Sequence, residues 1–177
     1  MVTIGDLNFE PYISEEEIQQ SICKIAEDIN NEYAGVEKKP AFLVTLSGAF
    51  FFAADLLRKL DFSPEIGFVK CSSYGKGTTS SGIIKVIIEP TFDVSGKDII
   101  VLEDLIDTGL TWKYLRKQLI EKGATRVRIA TLLEKDNPEN IHGDWVGRHV
   151  EHVFILGMGM DYSERGRNLT DIYRATT

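Results

Sequence analysis

Residues 98–115 read DIIVLEDLIDTGLTWKYL and put three carboxylates, Glu103, Asp104 and Asp107, within a span of five positions. Thr108, Gly109, Leu110 and Thr111 follow directly. Carboxylates grouped in this way can hold Mg²⁺ directly or through water, or accept hydrogen bonds from sugar hydroxyls. The DTGLT segment adds two hydroxyls, a glycine able to take an unusual backbone angle, and the free amides of a helix start. Together these make a site suited to one phosphate group. A plainer reading is that the acids and Thr108 only cap the next helix. Capping needs a single side chain, however, and this turn supplies three acids and two hydroxyls. The G-x-x-x-x-G-K-[ST] pattern occurs nowhere in the chain, so the turn is not a P-loop.

Other stretches carry less specific chemistry. In TLSGAFFFAADLL a strand meets a helix at Ser47-Gly48, which either exposes amides suited to pyrophosphate or forms an ordinary tight turn. CSSYGKGTTSSG is polar and glycine-rich between two apolar runs, hence a plain connection or a mobile lid that excludes water. Its Gly75-x-Gly77 precedes a strand rather than a helix, so a dinucleotide fingerprint is rejected. Lys135 stands just past a strand end, where an isolated lysine is ordinarily a solvated charge. Phe154 reads on pattern alone as a core aromatic. His149 and His152 lack a third ligand nearby and are set aside as a metal pair. Trp112 and Trp145 are expected to pack or to sit at a subunit contact, and His142 belongs to no motif.

The elements that must position these residues follow from periodicity. ISEEEIQQSICKIAEDI opens with a capping box, Ser14 with Glu17, flanked by Ile13 and Ile18 as a hydrophobic staple. Ile18, Ile22, Ile25 and Ile29 lie on one helical face. Apolar runs then alternate with helical ones. Strands are predicted at Ala41–Leu46, 66–72, Ile83–Ile88, 99–102, 127–133 and 153–156. Helices are predicted at 49–60 and 111–122, the second ending at Gly123 as a C′ glycine. This alternation predicts an α/β fold with a mainly parallel sheet covered on both faces. In such sheets ligands bind beyond the carboxyl ends of the strands, where the acids of 98–115 fall.

The 177 residues fit a single domain spanning 1–177, with no repeat or linker. The chain is 43% apolar and 27% charged, as soluble globular proteins are. A net charge of −7 and a pI near 5.0 argue against nucleic-acid binding. Cys23 and Cys71 form neither a disulfide framework nor a zinc ribbon. No signal peptide opens the sequence, and no apolar run could span a bilayer. A cytoplasmic enzyme or binding domain is therefore expected.

VLEDLIDTGLT resembles the phosphoribosyl pyrophosphate signature of the type I phosphoribosyltransferases: apolar residues, two acids, two apolar residues, then D-T-G-x-T. From about residue 41 to 173 the chain resembles the hypoxanthine branch of that family. The resemblance implies the type I fold, with a twisted, mainly parallel sheet, a small hood and a flexible lid loop. It implies a ribosyl donor site at Glu103, Asp104, Asp107, Thr108, Gly109, Leu110, Thr111, Ser47, Gly48 and Arg167. A cis peptide is implied between Leu46 and Ser47, where many relatives carry lysine in place of Ser47. Ser73 and Tyr74 would belong to the lid. Lys135 would donate to the 6-oxo group of a purine, Phe154 would stack on the base, and the Ile155 backbone would read the purine edge. Asp161 matches a magnesium ligand beside the purine, and Arg167, six residues on, matches a pyrophosphate-binding arginine.

The implied reaction is Mg²⁺-dependent transfer of 5-phosphoribose to hypoxanthine, and to guanine, with release of pyrophosphate. Asp107 would act as general base, and Asp161, Glu103 and Asp104 would serve the metal. A homo-oligomer, dimer or tetramer, is also implied. Two other readings are a xanthine-preferring enzyme and a non-catalytic regulator that keeps the fold. The second should carry a basic nucleic-acid element, and none is present.

Overall fold

The computed structural model describes residues 1–74, 83–137 and 141–176. In chain order the elements are β1 (Val2–Ile4), β2 (Leu7–Ile13), α1 (Glu15–Glu32), β3 (Ala41–Leu46), α2 (Phe50–Leu57), β4 (Ile66–Tyr74) and β5 (Ile83–Ile88). They continue with β6 (Asp98–Ile106), α3 (Leu110–Glu121), β7 (Arg126–Glu134), β8 (Trp145–His149), β9 (Ile155–Leu156) and β10 (Ile172–Ala175).

The main sheet runs β5-β4-β3-β6-β7-β8, parallel except for the β4–β5 pair. Its two faces follow the pleat, because successive side chains of a strand point to opposite sides. Phe42, Val44, Ile100 and Leu102 join the core under α1 and α2, where Ile18, Ile22, Ile25 and Ile29 are buried. Ala41, Leu43, Ile99 and Val101 join a second core under α3, with Leu115 and Leu119. The α/β fold with helices on both faces is thus as predicted.

The capping box at Ser14 is formed in both directions, with Ile13 and Ile18 buried. Gly123 lies just past α3 at φ +89, the left-handed conformation expected of a C′ glycine. Helix α2 is shorter than predicted. After Leu57 the chain tightens, with Lys59 N donating to Leu56 O at 2.9 Å.

Three further departures matter more. Strand β8, WVGRH, is the outermost parallel strand and was not predicted, because Gly147 and the charged Arg148 hide its pattern. The predicted strand 153–156 shrinks to Ile155–Leu156 and leaves the main sheet for a hood of order β1-β2-β10-β9. The antiparallel hood strands β1, β2 and β10 were also missed. Pro11 sits in β2 opposite Tyr173, next to a register slip, as suits a residue without an amide donor.

Candidate active site

The site begins where the sheet splits. β3 pairs with β6 only as far as Val44 opposite Leu102, whereas β6 continues beside β7 to Ile106 opposite Glu134. Residues 103–106 are therefore still strand, not the strand end expected from the charges, and their β3 side is open. Thr45 Oγ1 donates to Leu102 O at 2.8 Å at the point of divergence. The chain then turns through a cis peptide at Leu46–Ser47, as the resemblance implied. The opening is a cavity of about 170 Å³ lined by Thr45, Leu46, Gly48, Cys71, Glu103, Asp104 and Thr111. A smaller one of about 70 Å³ adjoins it through Glu103 and Thr111 and reaches Asp107, Thr108, Gly109 and Trp112.

Backbone packs closely here. A Cβ on Gly48 would lie 1.9 Å from Asp104 Oδ2, and one on Gly159 would lie 1.8 Å from Gly48 O. Only glycine fits at either position, so two loops can close against the carboxylate.

The acids are short of positive charge. Burial pushes the Glu103 carboxyl well above its ordinary range, and the neighbouring Asp104 adds to this. Glu103 Oε2 is buried and has no hydrogen-bond partner. Burial also raises Asp104; the amides of Asp104 and Leu105 and the charge of Arg167 pull the other way, while Asp161 reinforces the rise. Such a pair is satisfied by a cation or by hydroxyl donors. Among the described residues no group of three or more His, Cys, Asp or Glu converges as a metal cage. A metal at these carboxylates would need oxygens from elsewhere, as Mg²⁺ sites that use substrate and water do. Cys71 is an inert wall: burial, with Glu103 and Glu89, pushes its thiol up to about 12.

Gly109 is the N-cap of α3 at φ +75, and no side chain caps the helix. No acid occupies the first turn of α3. Thr108 Oγ1 accepts from Leu110 N only at 3.4 Å. The helix start is therefore not capped by a side chain as the plainer reading expects, and amides at such a start suit an anion.

Lys135 is buried just past β7, and its Nζ lies 3.4 Å from Asp107 Oδ1, across the tips of adjacent strands. It is not the solvated charge that an isolated lysine suggests. Asp161 Oδ1 pairs with Arg167 at 2.8 Å, and Arg167 also donates to Gly159 O at 2.8 Å. Phe154 is 39% exposed, against the pattern-based expectation of a core residue, because β9 starts only after it. It packs edge-on to Tyr162 at 5.7 Å, and Tyr162 donates to Asp6 Oδ1 at 2.6 Å. Ile155 is buried in β9 opposite Arg174. Leu110 opens α3 and lines neither cavity. Ser73 and Tyr74 end β4, and the rest of the expected lid, 75–82, lies outside the described residues.

The phosphoribosyl transferase domain model matches residues 13–163. The chain belongs to that family. Over 159 residues it is 40% identical to the hypoxanthine-guanine phosphoribosyltransferase of Bacillus subtilis, covering 89% of this chain and 87% of that one. It is 41% identical to the bifunctional protein TilS/HprT of Listeria monocytogenes across 89% of this chain, and spans about a quarter (24%) of that protein's length. A solved hypoxanthine-guanine phosphoribosyltransferase from Bacillus anthracis superposes with a TM-score of 0.85 at 29% identity, over 97% of this chain and 98% of that one.

Some lining residues of this phosphoribosyltransferase escaped the sequence reading. Thr45 was legible as the one polar residue in the apolar run AFLVTL, whereas Cys71 and Trp112 gave no such signal. His142 and His149 face the buried Glu134, at 2.7 and 3.7 Å.

Proposed function

We propose that this phosphoribosyltransferase acts in purine salvage, transferring 5-phosphoribose from phosphoribosyl pyrophosphate to hypoxanthine, and to guanine, with release of pyrophosphate. The observation that carries the choice of base is the Lys135–Asp107 pair at 3.4 Å, beside the phosphate turn. In a 6-oxopurine the oxo group and N7 share one edge. A buried ammonium donor next to a carboxylate acceptor matches an O6 acceptor next to an N7–H donor.

The chemistry follows from the charges that develop. The bond from C1 of the ribose to pyrophosphate breaks as the bond from C1 to purine N9 forms. The proton leaves N7 for Asp107, which supplies on the order of 10²–10⁴-fold as general base. The amides and hydroxyls from Thr108 to Thr111 hold the 5′-phosphate, while Glu103 and Asp104 orient the ribose hydroxyls. Ser47, Gly48 and Arg167 serve the pyrophosphate, Phe154 and Ile155 the base, and Ser73 and Tyr74 the lid. Asp161 would hold one Mg²⁺, and Glu103 and Asp104 would serve another alongside the ribose hydroxyls. When bound, the metal neutralises charge on the leaving group. The unpartnered Glu103 Oε2 supports that fit.

The enzyme works in the cytoplasm, a reading that two unpaired cysteines support. It works as a homo-oligomer, for which the exposed Phe50, Ile66, Phe68 and Ile88 supply apolar surface. No helix among the described residues is long and apolar enough to cross a membrane.

The test is a coupled assay of pyrophosphate release with Mg²⁺ and hypoxanthine, guanine, xanthine or adenine. Release with hypoxanthine and guanine is expected. Release with no base overturns the reading, and activity with adenine alone overturns the role of Lys135.

A further inference from the structure

The phosphate turn of 107–111 binds only if its amides stay aimed at one point, yet Gly109 at its centre has no side chain to anchor it. Its support comes from outside. The three nearest heavy atoms to a Cβ built on Gly109 are Ile141 Cδ1 at 2.9 Å, Ile141 Cβ at 3.0 Å and Asn137 Oδ1 at 3.3 Å. Ile141 is held there by Asn137. The Asn137 amide donates to Ile141 O at 2.7 Å and to Lys135 O at 3.3 Å, and its oxygen accepts from Ile141 N at 2.9 Å. Directly after Ile141, the buried Glu134 carboxylate accepts from Gly143 N at 2.8 Å and meets His142 Nδ1 at 2.7 Å. The segment is thus pinned on both sides of the residue that touches the turn. Lys135 N donates in turn to Ile106 O at 2.9 Å, so the whole clasp is tied to the strand that leads into the turn.

We propose that Asn137 is a positioning residue for the 5′-phosphate of the ribosyl donor, acting through Ile141 on Gly109. This rests on the proposed assignment of 107–111 to that phosphate. Both hydrogen bonds that Asn137 makes to residue 141 go to its main chain, so the clasp and the contact can be removed separately. Asn137→Ala opens the clasp. Ile141→Ala keeps the clasp and removes the side chain that presses on the turn.

The experiment is steady-state kinetics of both variants with each substrate varied, together with calorimetric titration of ribose 5-phosphate. The KM for phosphoribosyl pyrophosphate is expected to rise about 10-fold in each variant, and ribose 5-phosphate affinity to fall in parallel. The KM for hypoxanthine and kcat should stay within about twofold. Asn137→Asp, which still accepts from Ile141 N but cannot donate to its carbonyl, should fall between wild type and Asn137→Ala. An unchanged donor KM in Ile141→Ala, or an equal rise in the hypoxanthine KM, overturns the proposal. Ile141→Ala carries the test should Asn137→Ala not fold. Wild-type protein that binds ribose 5-phosphate but turns over no base refutes the enzyme reading alone. Protein that does not bind ribose 5-phosphate refutes the positioning role as well.

Discussion

Substituting Gly159 with alanine strikes the site at its tightest backbone contact. The new Cβ would lie 1.8 Å from the Gly48 carbonyl, roughly 1.5 Å inside ordinary contact, and both atoms belong to main chain that cannot rotate away. Overpacking of this kind costs about 1–3 kcal/mol. Gly159 also sits at φ +99, which adds about 1–2 kcal/mol for a residue with a Cβ. The total of about 2–5 kcal/mol corresponds to a fall in Tm of roughly 5–20 °C for a chain of this size. Gly35→Ala is the control for backbone angle alone, since Gly35 has φ +70 and nothing within 4 Å of a Cβ. It should cost only about 1 kcal/mol and leave activity unchanged. Gly48→Ala is the control for contact alone. Its Cβ would meet the Asp104 carboxylate, so that side chain must swing away from the proposed ribose site. Its kcat/KM should drop at least about 100-fold for a smaller loss of Tm. Thermal scans and steady-state kinetics on the three variants separate these effects. If Gly159→Ala matches Gly35→Ala in both Tm and kcat/KM, the close approach of the two loops is not a constraint and the reasoning fails.

Asp107→Asn should lower kcat by about 10²–10⁴-fold while the protein stays folded, and near-full turnover would remove Asp107 as the base. Lys135→Gln should cut kcat/KM for hypoxanthine about 10- to 100-fold, the loss of one charged hydrogen bond, and raise the rate with adenine relative to it. A competition assay between the two bases reads this directly. The hydrogen bond from the Tyr162 hydroxyl lowers the pKa of Asp6, and those from the Ser14 amide and hydroxyl lower that of Glu17. Folded pKa values depressed in this way contribute stability above the ordinary carboxylate range and lose it as pH falls through the lowered values. The Tm gap between wild type and an Asp6→Asn, Glu17→Gln double variant should therefore narrow below about pH 4. A gap that widens there would contradict the sign.

The parts legible in the sequence share a local cause. Helix α1 declares itself through its capping box and isoleucine face, and β3 through a run between breakers that is apolar but for Thr45. The proposed donor turn is legible because its acids, hydroxyls and glycine sit in consecutive residues. What escaped depends on pairing between distant segments. Nothing in EDLI says that β6 stays in register with β7 through Glu103↔Thr131 after β3 has left, because that is decided by a neighbouring strand. WVGRH becomes a strand by pairing with β7 from Ala130 onward, not by its own alternation. The exposure of Phe154 was hidden for the same reason. Its local pattern is that of a buried aromatic, and only the hood's short β9 leaves it outside. Lys135 looks like surface charge until Asp107 is brought across the strand tips to meet it.

The hood joins the far ends of the sequence: Arg174 of β10 pairs with Glu10 of β2, 164 residues apart. During synthesis β2 must therefore wait, its edge unpaired, until almost all of the chain has followed it. The parallel layers that carry the donor turn draw on nearer neighbours and can assemble beforehand. Contacts across so long a loop bear the larger closure entropy. A nascent chain would thus have the proposed ribose and phosphate pocket in place before the hood, next to which the proposed base-stacking Phe154 lies, is complete. On the proposed assignment, competence to hold the donor would precede competence to choose the acceptor.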